Sequence, residues 1–279
     1  MTRSEIYGVS KDALHRSSED HLTFVAAGVA FFVLLAIFPG VAAIISLFGL
    51  VADPQDGGAL LSALSSVLPE QAVGIIQSQI EHSADKTREG RAMSFLPVVG
   101  LVILLWSTNK GMRAIFNALN IIHNVDERRG FVRLNAMSLL FTIGLIALLL
   151  FFMSVVFVFP AAAEQLGINQ IPAAIVTSLR WLALLVVVGF AIALLYRYGS
   201  SRDGAMRWIS AGSAVAALLW IVVSLLFEWT VSNFGGFAQL YGSLSSVIGF
   251  MVWIWLSSIV VLFGAELDMA LSRHAGDAD

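Results

Sequence analysis

Six long apolar stretches alternate with short polar segments along the chain, and their lengths set the class of structure. Residues 24–51, 93–119, 134–159, 173–196, 208–231 and 243–270 each reach or exceed the ~20 residues a helix needs to cross the hydrocarbon of a bilayer. Lipid offers no hydrogen bonds to a backbone, so a crossing segment must satisfy its own, as an α-helix does. The pattern predicts an all-α membrane protein, a six-span transmembrane helical bundle. One transmembrane domain covers 24–271, preceded by an amphipathic N-tail, 1–23, and followed by a short polar tail, 272–279.

Two interruptions refine this pattern. Pro39-Gly40 lies near the middle of the first span, where a missing amide and a steric clash predict a kink. Between spans one and two, Leu60, Leu61, Leu64 and Leu68 form one apolar stripe, and Val73, Ile76 and Ile80 form another. Glu70, Gln71, Gln77, Gln79 and Glu81 are too many polar groups for a span. This segment reads as two short amphipathic helices lying at the membrane surface, followed by a charged loop from Ser83 to Arg91.

The second span changes character midway. Trp106, Lys110, Arg113, Asn117, Asn120 and Asn124 fall on one helical face, with Met112, Ile115, Leu119 and Ile122 opposite. Such a stripe is either a helix end whose cations snorkel to the interface or the lining of a polar site.

Charge orients the bundle. The 279 residues are 58% apolar and 13% charged, against roughly 25% charged in soluble domains. Twelve Lys and Arg fall in the N-tail, the second loop, the fourth loop and the C-tail. Three fall in the other loops, and Arg180 lies within span four. The excess of basic residues marks the cytoplasmic side, so both termini are expected there. The first apolar run is too long for a signal-peptide core and lacks an Ala-x-Ala site, so it is expected to remain as a span.

Little in the chain suggests chemistry. There is no cysteine, which excludes disulfides and thiol nucleophiles. The five histidines are scattered without metal-ligand spacing, and no hydrolase, phosphate-loop or dinucleotide motif occurs. No metal, cofactor or nucleic acid is expected. Asp126-Glu127, followed by two arginines, reads as a solvated, self-neutralising turn. Gly242, Ser245, Ser246 and Gly249 form a small-residue stripe suited to close helix packing.

The ionisable residues in or near spans are the functional candidates: Arg180, Glu228, Glu266 and Asp268. Glu266, a turn inside the end of span six, is the leading buried carboxylate, with Arg113 or Arg197 able to pair with it. Asn109, Lys110, Arg113, Arg197 and Glu266 are therefore assigned to one polar cavity or ligand site on the cytoplasmic side. Arg180, Glu228 and Tyr241 are secondary candidates.

Several segments taken together carry a family resemblance. Val25-Ala26-Ala27-Gly28-Val29-Ala30-Phe31-Phe32 runs on to Phe38-Pro39-Gly40. Thr108-Asn109-Lys110-Gly111-Met112-Arg113-Ala114, Leu195-Tyr196-Arg197-Tyr198-Gly199, Tyr241-Gly242-Ser243-Leu244 and Gly264-Ala265-Glu266-Leu267 follow in order. As a set they resemble the YihY/BrkB family of bacterial inner-membrane proteins, and Ser200 stands where many relatives have proline. The resemblance implies an inner-membrane location and a link to virulence and the cell envelope. Members have been labelled ribonuclease BN, and the resemblance implies that this label is a misassignment. The reading from the residues is transport or translocation of a lipid or other envelope component, with membrane lipids as partners. The alternatives are a scaffold docking an envelope or cytoplasmic protein partner and, below it, a membrane ribonuclease.

Overall fold

A computed structural model describes residues 3–51, 96–153, 173–201, 210–233 and 241–276, together with Gly74 and Gln77. Seven α-helices make up these residues, and no strand occurs among them. They are α1 (Arg3–Glu19), α2 (Leu22–Val51), α3 (Leu96–Ile122), α4 (Phe131–Met153), α5 (Ala173–Gly199), α6 (Ala211–Asn233) and α7 (Ser245–Gly276). Helices α2 to α7 each overlap one of the six apolar stretches, as far as the described residues extend. Among the described residues, three stretches are long and apolar enough to cross a membrane: Trp181–Gly199, Ala211–Asn233 and Ser245–His274. A fourth candidate is the bent pair of α1 and α2. The two surface helices and charged loop expected between spans one and two lie outside the described residues, except for Gly74 and Gln77, both helical.

Large apolar side chains on these helices face outward. Phe24, Leu140, Ile143, Val186 and Leu226 are all more than half exposed. Helices that are apolar on every face need lipid or protein around them.

The chain bends by 62° where α1 meets α2. His21 adopts a left-handed conformation, φ 50°, which halts α1 and redirects the chain. Helix α2 continues without interruption through Pro39-Gly40. Before α7, Gly242 has φ 54°, open to glycine without a steric penalty, and leads into a single 3-10 turn, Gly242–Leu244.

Two compact units form. The first comprises residues 1–26, 112–223 and 257–279, and the second comprises 27–111 and 224–256. In the first, Leu119, Ile122, Tyr196, Ala216, Leu262 and Ala265 make the main core. Backbones approach closely there. A methyl group added at Gly264 would stand 2.5 Å from the Tyr196 hydroxyl and 2.6 Å from the Ala216 Cβ. One added at Gly212 would collide with the Gly264 carbonyl oxygen. The Tyr196 hydroxyl donates to the Val261 carbonyl, which ties α5 to α7. A satellite cluster seats Val9 and Ala13 of α1 against Ala270 of α7. Asp12 flanks it, 3.5 Å from Arg16 and 3.8 Å from Arg273.

In the second unit, Ala30 packs with Phe250 and Ile254. Phe32 meets Trp106 edge to face, with centroids 5.9 Å apart. The Trp253 indole donates to Ser224 at 3.2 Å.

Candidate functional site

The richest polar geometry lies in the first unit, where the end of α3, the start of α4 and the end of α5 meet. Glu127, in the loop between α3 and α4, is its centre. One carboxylate oxygen accepts the Arg129 backbone amide at 2.9 Å, the Arg129 Nε at 2.8 Å and the Ser201 hydroxyl. The other accepts Asn120 Nδ2 at 2.9 Å and Arg129 Nη2 at 2.8 Å. Arg129 also donates to the carbonyls of Tyr198 (3.2 Å) and Gly199 (2.7 Å), and its guanidinium lies 5.1 Å over the Phe116 ring. Asn120 closes the circuit by accepting the Ser201 amide at 2.7 Å.

Three elements are thus held by one carboxylate and one guanidinium. The Arg129 side chain is 8% exposed and that of Glu127 22%. The solvated turn expected from Asp126-Glu127-Arg128-Arg129 is corrected here. Glu127 bonds across 74 residues to Ser201, because the helix ends leave carbonyls and amides that the loop must satisfy. Gly199 suits the site because a Cβ there would stand 2.6 Å from Leu119.

Burial opposes ionisation of Glu127. The hydrogen bonds from the Arg129 side chain, Ser201, the Arg129 amide and Asn120 outweigh it, and bring the carboxyl from 4.5 down to about 2. A lowered folded-state value means stability that is fully present above the ordinary carboxyl range and lost as pH falls toward 2. Allowing for partial solvent screening, the contribution is about 1–3 kcal/mol. Acid titration of the detergent-solubilised protein should therefore show a stability loss between about pH 4.5 and 2. Glu127→Gln should remove that component. An unchanged acid profile in the variant would assign the loss to other groups.

Beside the circuit is a cavity of about 270 Å³. Its lining includes Arg128, Arg129, Arg133 and Arg197 with Tyr198 and Ser201, and no carboxylate among the described residues. Arg197 lies 5.5 Å over the Tyr198 ring.

Glu266 sits elsewhere in the same unit. It is fully buried on α7, and among the described residues no well-formed hydrogen bond reaches either carboxylate oxygen. The Asp20 carboxyl faces it, and Arg273 and Arg16 lie within electrostatic reach. Its cationic neighbours are thus from α1 and the end of α7, in place of the expected Arg113 or Arg197. Arg113 points to α4, donating to Asn135 at 3.4 Å and lying 5.7 Å over Phe131. Lys110 lies 5.9 Å over Trp106, and Asn109 is half-buried on the same helix. The helical wheel assigned the face of Arg113 and not the neighbour opposite it. Asp268 accepts the Gly212 amide at 2.7 Å. Glu228 is exposed beside an exposed Trp229, and Tyr241 is exposed ahead of α7. The side chains of Arg180 and Pro39 lie outside the described residues. Among the described residues, no three His, Asp or Glu side chains converge as a metal site would require.

Long apolar helices with outward-facing large side chains, joined at their ends by polar circuits, define a helical integral membrane protein. The chain belongs to the virulence factor BrkB family, whose sequence profile matches residues 13–279. It is 28% identical over 257 residues to a Bacillus subtilis protein named only as ribonuclease-like, YfkH, covering 89% of this chain and 90% of that one. It is 28% identical to a UPF0761 membrane protein of Alkalilimnicola ehrlichii and 26% identical to one of Neisseria meningitidis serogroup B. These matches cover 90% and 95% of this chain but 55% and 63% of those relatives. No solved structure matches.

Proposed function

We propose that this protein translocates a lipid or other amphiphilic envelope component across the bacterial inner membrane. In this reading all six long helices cross the bilayer and both termini are cytoplasmic. The observation that carries it is Glu266, wholly buried in an apolar helix without a well-formed hydrogen bond among the described residues. A buried carboxylate left so poorly satisfied is costly to a fold. Ionisable groups retained inside membrane helices mark substrate or ion pathways. Asp20, Arg16 and Arg273 give this one a charged surround that a passing polar group could enter.

The test is reconstitution of the full chain in vesicles carrying a fluorescent phospholipid in one leaflet. The wild type should speed exchange of the probe between leaflets. Glu266→Gln keeps the shape and removes the charge, and should slow exchange at least about tenfold, the kinetic equivalent of ~1.4 kcal/mol. Wild-type vesicles that exchange no faster than empty ones would defeat the translocation reading.

A further inference from the structure

Helix α1 lies antiparallel on the end of α7, and the two meet along matched stripes. Val9, Asp12, Ala13, Arg16 and Asp20 share one face of α1. Phe263, Glu266, Ala270 and Arg273 share one face of α7. The contacts follow in register. Asp20 faces Glu266, and Val9 and Ala13 pack on Ala270. Asp12 lies 3.8 Å from Arg273, and a Cβ at Gly8 would stand 3.7 Å from the His274 Nε2. Glu266 is therefore covered by the end of α1 next to His21, and the ion pair lies about two turns further along.

We propose that α1 is a hinged lid over Glu266, held shut through Asp12 and opened at His21 to admit water and solute to that carboxylate. The inference deepens the translocation reading. It rests on that reading for what passes, and on the contacts of α1 for the motion itself.

The forces that hold α1 down are small. Val9 and Ala13 are its buried apolar residues among those described, and both are short side chains. Asp12 lies between Arg16, at 3.5 Å, and Arg273, at 3.8 Å. Both distances exceed a good hydrogen bond, so charge alone draws these groups together. The three side chains are 28–38% exposed, where salt screens such attraction. Beside His21 two carboxyls face each other, Asp20 and Glu266, and repel whenever both are ionised. Arg16 offsets part of this through its attraction to Glu266.

The hinge is already formed. Helical hydrogen bonding in α1 stops at the His21 amide, which donates to the Ser18 carbonyl at 3.2 Å. It restarts from the His21 carbonyl, which accepts the Phe24 and Val25 amides. Rotation at this one left-handed residue leaves both helices intact.

The chain contains no cysteine, so single introduced thiols report on the lid. The full chain is placed in lipid nanodiscs, which leave both membrane faces open, and treated with a charged maleimide that does not enter lipid. Ala270→Cys and Glu266→Cys sit under the lid. Ala118→Cys, equally buried in the main core, reports unfolding. Asp12→Asn and Arg273→Gln should each speed labelling at 270 and 266 roughly fivefold, the upper end for a partly exposed ion pair. Added salt should speed both reporters too, and less so with Asp12→Asn. Glu19→Gln removes the same charge from α1, where both members of its pair with His15 are more than half exposed, and should change nothing. Labelling at 270 but not at 266 would mean that one end of α1 frays, and would overturn the lid. So would rates that Asp12→Asn and Arg273→Gln leave unchanged, or equal labelling at 118, which marks global unfolding. Lipid exchange is read separately: its absence defeats the translocation reading, and the labelling rates still decide whether α1 opens over Glu266.

Discussion

Replacing Arg129 with alanine should be among the most destabilising single changes in this protein. The side chain is 8% exposed, and it donates to both oxygens of Glu127 and to two carbonyls at the end of α5. Removing the side chain leaves Glu127 with the residue-129 backbone amide, Asn120 and Ser201 but no cation, and leaves two carbonyls at a helix end short of a donor. Breaking a buried charge pair from one side costs about 3–5 kcal/mol. Lysine should restore only part, because a single ammonium cannot span both carboxylate oxygens and reach two carbonyls. The neighbouring Arg128→Ala should fall within about 0.5 kcal/mol of wild type, since Arg128 is exposed. Thermal unfolding in detergent, followed by circular dichroism, reads all three. An Arg129→Ala midpoint equal to that of Arg128→Ala would show that the circuit does not hold the helix ends.

The second large effect belongs to Gly264. Its backbone lies against Tyr196 of α5 and Ala216 of α6, at distances where a Cβ cannot fit. Gly264→Ala must push apart helices that the Tyr196 to Val261 hydrogen bond holds together. Overpacking of this kind costs about 1–3 kcal/mol, and Gly264→Val should cost more. Gly212→Ala should resemble it, because the obstacle there is the Gly264 backbone, which cannot rotate away as a side chain would. Gly144, in the middle of α4, has no atom within 4 Å of an added Cβ. Gly144→Ala should stabilise α4 by about 0.5–1 kcal/mol through helix propensity alone. Equal midpoints for Gly264→Ala and Gly144→Ala would rule out close packing as the reason for glycine at 264.

These two cases also mark how far the sequence could be read. The helices follow from runs of apolar residues, a property each segment carries by itself. Glu266 could be singled out because one carboxylate in such a run is conspicuous. Its neighbours could not, since Asp20, Arg16 and Arg273 reach it only once α1 folds back onto α7. Arg113 illustrates the same limit: periodicity fixes a face, and the approach of α4 decides that Asn135 and Phe131 stand there. Glu127 misled for another reason. Two arginines beside it in sequence suggested local neutralisation, and one of them, Arg129, does pair with it. The bonds to Asn120 and Ser201 depend on where α3 and α5 end, and helix ends are the least legible feature of a sequence. Asn120 did carry a signal, as the member of the polar stripe that the structure buries at 4% exposure. Gly212 and Gly264 lie more than fifty residues apart on two helices, and nothing local in either ties it to the other.

The docking of α1 has a consequence for how the protein is made. Its buried residues, Val9 and Ala13, rest on Ala270, and Asp12 faces Arg273. A ribosome delivers α1 some 260 residues before its resting place on α7. Chains grow at about 5–20 residues per second, so α1 waits roughly 13–50 seconds before its partner surface exists. Through that interval its apolar face must be covered by something else, and the bilayer surface or a chaperone are what a nascent chain meets. Closure of α1 onto α7 must then wait until α7 has been made, and a quality-control protease could recognise an unfinished molecule by α1 still undocked.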